Sequence, residues 1–205
     1  MATGANEFFL LTNEARERLP AQATVRAVRR LRNLAGDRLT LEAHDDLAVL
    51  GERSWLVLLA DPALLADPEV AAWLEAAAAS GVKDRYLPSH RDHWYLVEDI
   101  EAPDVIVSPM GKGRMRAVFN EARAVPSNAL YGIYLDGKKG LSVRVTTWLN
   151  SPDGQTALLE RARAYGAGLF KLEPRDLLAV TIPTEVIDGD LADAPTSARS
   201  SRVST

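Results

Sequence analysis

Trp148-Leu149-Asn150-Ser151-Pro152 opens a segment that closes at Val180-Thr181-Ile182-Pro183, and its punctuation is dense. Ser151 before Pro152 sets a capping hydroxyl ahead of a proline at the first helical position, which predicts a helix to about Ala164. Gly166 and Gly168 end it. Gly168 to Leu172 reads as a short strand, Pro174 as the first turn of a very short helix, and Leu178 to Ile182 as a closing strand stopped by Pro183. Just upstream, residues 141–149 point two ways. Val143, Val145, Thr146 and Thr147 favour a strand, whereas Leu141, Val145, Trp148 and Leu149 align on one helical face.

Towards the N-terminus, Glu7-Phe8-Phe9-Leu10-Leu11 reads as a buried strand. Thr12-Asn13 caps a short helix over 13–19 that Pro20 ends. Val25, Val28, Leu31 and Leu34 form one stripe and predict a helix over 21–35, with Arg26, Arg29 and Arg30 on its exposed side and Gly36 as the stop. Leu39, Leu41 and Ala43 alternate with polar neighbours and predict a half-buried strand over 38–43, followed by a polar loop at His44-Asp45-Asp46. Trp55 to Ala60 is an interior strand, and Asp67-Pro68-Glu69 starts an alanine-rich helix that runs to Ser80-Gly81. Further strands are predicted at Trp94–Glu98, Val105–Val107, Arg114–Phe119 and Ala129–Leu135, with a turn at Asp136-Gly137-Lys138-Lys139-Gly140. Beyond Pro183 large apolar side chains nearly vanish. Residues 1–183 therefore read as one domain and 184–205 as a disordered tail.

Composition sets outer bounds. Hydrophobic residues at 47% and charged residues at 25% are ordinary for a soluble globular chain of 205 residues. With no cysteine, disulfides and thiolate metal sites are excluded and a cytoplasmic location is expected. No apolar run approaches a membrane span, and no signal peptide is legible. The net charge of −4 argues against a nucleic-acid partner, but its distribution argues for one. Between residues 111 and 144, seven cations (Lys112, Arg114, Arg116, Arg123, Lys138, Lys139, Arg144) stand against Glu121 and Asp136, a local balance of 7 − 2 = +5.

The order Leu149-Asn150-Ser151, helix, Gly166-Ala167-Gly168, Phe170-Lys171-Leu172 and Ile182-Pro183 resembles the closing segment of target recognition domains in Taq-type adenine-N6 DNA methyltransferases of type II (IIG) restriction–modification systems. Gly4-Ala5-Asn6-Glu7-Phe8-Phe9-Leu10-Leu11-Thr12 is similar to the join that opens such a region, and Arg91-Asp92-His93-Trp94-Tyr95 to its middle. Asn120 and Asn128 stand near that family's central asparagines. The resemblance covers about residues 4–183 and favours the helical reading of 141–149. It implies a domain that binds double-stranded DNA beside a methyltransferase catalytic domain or subunit. S-adenosylmethionine would be held by that catalytic part, with no cofactor in this chain. No Pro-Pro pair occurs here, so the motif that grips a flipped adenine is missing; the only compact glycine loop, Gly111-Lys112-Gly113, is not a nucleotide fingerprint. The chain is therefore expected to be an excised region, a split subunit or a truncated reading frame, with no catalytic residue of its own.

Candidate DNA contacts are Arg91, Lys112, Arg114, Arg116, Lys138, Lys139 and Lys171. In Gly111-Lys112-Gly113-Arg114-Met115-Arg116 the glycines let Lys112 and backbone amides approach phosphate, and Arg114 or Arg116 fits a guanine edge; a solvated hairpin is the plainer reading. Arg91 is a phosphate or base-edge candidate beside a core Trp94. Lys138 and Lys139 are either a solvated turn or phosphate contacts, and Lys171 is a phosphate contact. Asn150 and Ser151 read as helix caps. An enzymatic alternative built on His44-Asp45-Asp46 and His90 or His93 finds no metal or nucleophile pattern.

Together these readings predict an α/β (α+β) fold: a mixed, largely antiparallel curved sheet with surrounding helices, like a methyltransferase target recognition domain. Its middle-chain cations are expected on one concave, duplex-following surface. Two alternatives are a protein-interaction module and a fragment of a type I specificity subunit, although no coiled-coil spacer is visible.

Overall fold

The computed structural model describes residues 1–97, 101–136 and 138–189. In chain order it forms α1 (Asn6–Phe9), β1 (Leu10–Leu11), α2 (Asn13–Arg16), β2 (Thr24–Val28), α3 (Leu41–Val49), β3 (Trp55–Val57), α4 (Pro68–Ala79) and α5 (Tyr86–Ser89). There follow β4 (Val105–Val107), β5 (Met110–Lys112), β6 (Ala117–Phe119), β7 (Val125–Pro126), β8 (Tyr131–Ile133), α6 (Lys139–Asn150) and α7 (Pro152–Arg161). The last elements are β9 (Arg163–Tyr165), β10 (Leu169–Lys171), α8 (Pro174–Leu178) and α9 (Thr184–Asp188).

The strands sort into three short sheets, ordered β1-β3-β2-β7, β6-β4-β8 and β5-β10-β9. Every pairing is antiparallel except β2 with β7. The α+β class and the antiparallel bias match expectation; the single curved sheet does not, since the β-structure is divided in three. Each layer has its own apolar cluster. Phe9, Leu10, Leu56, Val57 and Val70 pack around the first sheet with α1 and α4. Val28, Leu39, Leu47, Ile106 and Val118 form a middle cluster. Met115, Val145, Leu149, Leu158 and Leu172 bind α6 and α7 to the C-terminal strands.

Where capping chemistry was explicit, the sequence reading holds. Asp67 accepts from the amides of Glu69 and Val70 at the start of α4, and Ser151 accepts from Gly154 at the start of α7. Residues 141–149 are helical within α6. Gly154 lies where a Cβ would sit 2.0 Å from the Trp148 carbonyl oxygen, so α6 and α7 meet at their closest through a bare backbone.

Several expectations are corrected. Residues 21–35 are not a helix: Thr24–Val28 is β2, registered against β3 through Val25↔Leu56 and Arg26↔Trp55. β-branched residues laddered on both sides, to β3 and to β7, outweigh a loose three-residue spacing. The arginines there do not line a helix face, and the Arg26 guanidinium lies over the Trp55 ring. Residues 38–43 are not a strand beyond a single bridge from Arg38 to Phe119. Thr40 accepts from the Ala43 amide at 3.1 Å and starts α3, which absorbs His44-Asp45-Asp46. His44 is fully buried rather than in a loop. Phe8 and Phe9 belong to α1, leaving only Leu10 and Leu11 as strand.

Residues 91–95 are bends and turns, while Glu98, the end of the strand expected there, falls outside the described residues. Leu178 ends α8, and Val180 and Ile182 pack on the third cluster without forming a ladder. The expected tail begins with a helix: α9 packs on α6, where Arg144 donates to the carbonyls of Val186 at 2.8 Å and Ile187 at 2.7 Å. The rest of that expectation, residues 190–205, lies outside the described residues, as does Gly137 of the expected turn.

Candidate nucleic-acid interface

The β5-β10-β9 sheet is the most exposed of the three. Its registers align Lys112↔Leu169↔Tyr165 and Met110↔Lys171↔Arg163 in two rows, with Gly111↔Phe170↔Ala164 between them. Alternation sends the two outer rows to one face and the middle row to the other. From the middle row Phe170 packs on the third apolar cluster. The outward face therefore gathers three cations, Lys112, Arg163 and Lys171, around Tyr165 and Met110, which are 49% and 46% exposed. Lys171 pairs with Glu173 at 2.8 Å, and that carboxylate raises the lysine pKa above its ordinary value. A solvent-screened pair of this kind yields readily to a phosphate. Arg163 and Tyr165 were missed in the sequence because the preceding helix was extended to Ala164. Their alternation before a Gly-Ala-Gly turn was the available signal. Ala167 at φ 62° and Gly168 at φ 72° make that turn a tight left-handed one.

Arg114 sits just past the edge of this sheet. Gly113 turns the chain with φ 69°, and Gly111 leaves so little room that a Cβ would lie 1.7 Å from the Arg114 carbonyl oxygen. The next residue is clamped: the Met115 amide donates to Gln155 Oε1 at 2.8 Å, and Gln155 Nε2 donates to the Met115 carbonyl at 2.7 Å. The Arg114 side chain is exposed, with no ion-pair partner among the described residues. It borders a cavity of about 550 Å³ shared with Gly36, Asp37, Arg116 and Asn150.

The other predicted cations go elsewhere. Arg116 donates to the carbonyls of Leu31, Leu34 and Gly36, so its guanidinium staples the 29–36 turns instead of facing outward. Burial lowers its pKa, and Asp37 works against that shift while Arg114 adds to it. Arg91 donates to the carbonyls of Ala2 and Thr3 at 3.0 Å each, lies over the Phe9 ring and fastens the N-terminal segment. Lys138 precedes α6, its carbonyl accepting from the Ser142 amide, and Lys139 pairs with Glu121 at 2.8 Å. That end of α6 is about 17 Å along the helix axis from Asn150, which lines the cavity. The seven candidates thus divide: Lys112 and Lys171 share one face of the β5-β10-β9 sheet, Arg114 borders the cavity past its edge, Arg91 and Arg116 hold backbone, and Lys138 and Lys139 lie at the far end of a helix. They do not form one surface. Asn150 is no cap either: its amide exchanges hydrogen bonds with both backbone groups of Ala117, at 2.8 and 3.1 Å, and closes the edge of β6.

His44 was raised for metal or acid–base work. Its Nε2 lies 2.9 Å from the Ser54 carbonyl, which makes that nitrogen the donor of a neutral ring, and burial lowers its pKa. Among the described residues no group of three or more His, Cys, Asp or Glu side chains is placed to hold a metal ion. No helix among them is long and apolar enough to cross a membrane.

Fold and site together define an α+β domain with an exposed cationic sheet face bearing an aromatic residue. The chain belongs to the family of the C-terminal domain of type II methyltransferase M.Eco57I, whose family model matches residues 1–204. Among curated proteins it is 22% identical over 183 residues to the type II methyltransferase M.AccI of Acinetobacter calcoaceticus, covering 86% of this chain. The chain spans about a third, 33%, of that relative's length. No solved structure matches it. The relation to type II methyltransferases expected from the sequence is thereby shown at the level of the family.

Proposed function

We propose that this chain is the DNA target recognition region of a type II restriction–modification methyltransferase. The adenine-N6 specificity rests on the similarity to Taq-type enzymes in residues 148–183. S-adenosylmethionine and the methyl transfer itself belong to a catalytic domain or subunit with which this region works. The observation that carries the reading is the face of the β5-β10-β9 sheet, where Lys112, Arg163 and Lys171 surround an exposed Tyr165. Cations spaced along a sheet contact phosphates and fix register on a duplex, while neighbouring side chains read the groove. A gel-shift titration of the chain on duplex DNA at several salt concentrations tests this. If all three cations meet phosphate, log affinity falls against log salt with a slope of roughly −3. Absence of a shifted complex at low salt refutes the reading.

One observation favours a second reading, a module that docks on the methyltransferase without touching DNA. Tyr131, Ile133, Leu177, Val180 and Ile182 line an apolar cavity of about 600 Å³, and Leu178 at its margin is 87% exposed. Co-purification with a catalytic subunit and no DNA complex at any salt would establish it instead.

A further inference from the structure

The cavity beside β5 contains an uncommon combination. Of its lining side chains, Arg116 is committed to three carbonyls and Asn150 to Ala117. The remaining polar side chains are Asp37 and Arg114, both exposed, and neither has an ion-pair partner within 4 Å among the described residues, including each other. Their backbones are fixed while their side chains are free. Asp37 accepts the Phe119 amide at 2.9 Å, and its neighbour Gly36 accepts from Arg116. Arg114 is held between the tight contact at Gly111 and the Gln155 clamp on Met115. Asp37 and Arg114 line the same cavity. A guanidinium fork and a carboxylate, each on an anchored backbone, therefore border the same space.

We infer that Asp37 and Arg114 together read one G·C base pair from the major groove, an inference that rests on the DNA-recognition reading above. Guanine presents O6 and N7 side by side, which matches the two-pronged guanidinium of Arg114; the cytosine opposite presents its N4 amino hydrogens, which a carboxylate accepts. Adenine and thymine do not offer that set: their edge carries a single acceptor at each end of a central amino group. A protein of this class would need no movement of its backbone to make the contact, because the turn at 111–115 is already closed.

The test is selection of bound duplexes from a randomised library by the full chain and by the variants D37N, R114A and R114K, each first checked for an unchanged urea midpoint. Wild-type protein should enrich a site with G·C at one position. D37N and R114A should each lose discrimination at that same position, by roughly 10-fold to 100-fold. R114K keeps the charge but not the fork, so it should retain most of the affinity and still lose the preference. The inference is overturned if D37N leaves every position unchanged, if the two variants relax different positions, or if R114A weakens all sequences equally. If wild-type protein binds no duplex at all, the recognition reading fails with it. If it binds every sequence alike, only the base-pair assignment falls.

Discussion

Arg116→Ala separates a reader of DNA from a staple of the fold. In the sequence Arg116 looked like a candidate for a guanine edge; in the structure its guanidinium donates to Leu31, Leu34 and Gly36 and closes the turns that follow β2. A hydrogen bond to a charged group contributes roughly 1.5–3 kcal/mol when well shielded. Arg116 is half-buried, and Gly36 is exposed, so water replaces part of what is lost. Three such bonds, discounted for that access, put the loss at about 2–4 kcal/mol. With a urea dependence of roughly 2–3 kcal/mol per molar, the unfolding midpoint followed by tryptophan fluorescence should fall by about 1 M with an unchanged slope. R116K should recover less than half of it, because one ammonium cannot reach three carbonyls in a fork. An unaltered midpoint accompanied by lost sequence discrimination would refute this reasoning and return Arg116 to the DNA.

Three further outcomes are expected. Gly154→Ala forces a Cβ to within 2.0 Å of the Trp148 carbonyl oxygen and 2.8 Å of the Leu149 Cα, so it should cost several kcal/mol or abolish folding; circular dichroism indistinguishable from wild type through thermal melting would count against the α6–α7 contact. Asn120→Ala removes a fully buried amide that donates to Pro103 and Ala124 and accepts from the Ala124 amide, all at 2.8–2.9 Å, and should lower stability by about 3 kcal/mol in urea titration. His44 has a folded pKa below its usual 6.5 because burial disfavours the charged ring, so the unfolded chain binds more protons as pH falls below that value. Stability present above about pH 6.5 should therefore decline on acidification and level off below the folded pKa, and His44→Gln should remove that part of the slope; an identical pH profile for the variant would rule His44 out as the cause.

How much was legible depended on how local the deciding chemistry was. Asp67-Pro68 and Ser151-Pro152 start α4 and α7 as their cap geometry requires, since both signals lie within a single turn. The region 21–36 misled because its deciding partners are remote, whereas at 38–43 the local Thr40 cap was overlooked. Thr24–Val28 is a strand only by virtue of β3 and of β7. The 29–36 turns are held by an arginine some 80 positions away. The candidate site shows the same division. Gly111, Gly113 and Lys112 announced an exposed turn, and the +5 balance of 111–144 included Lys112 and Arg114 but also cations that the fold places elsewhere. Arg163, Tyr165 and Asp37 carried no motif of their own. Only the β10 register and the fold of the 29–36 turns bring them beside Lys112 and Arg114.

The pairing of β5 with β10 joins segments from the middle and the last third of the chain, with β6, β7, β8, α6 and α7 made between them. Contacts of such long sequence separation form late, after nearer ones have closed the intervening loops. During synthesis Lys112 leaves the ribosome well before Arg163 and Lys171 do. A nascent polypeptide thus carries no assembled cationic platform, and it gains one only as the closing helices and strands emerge and fold.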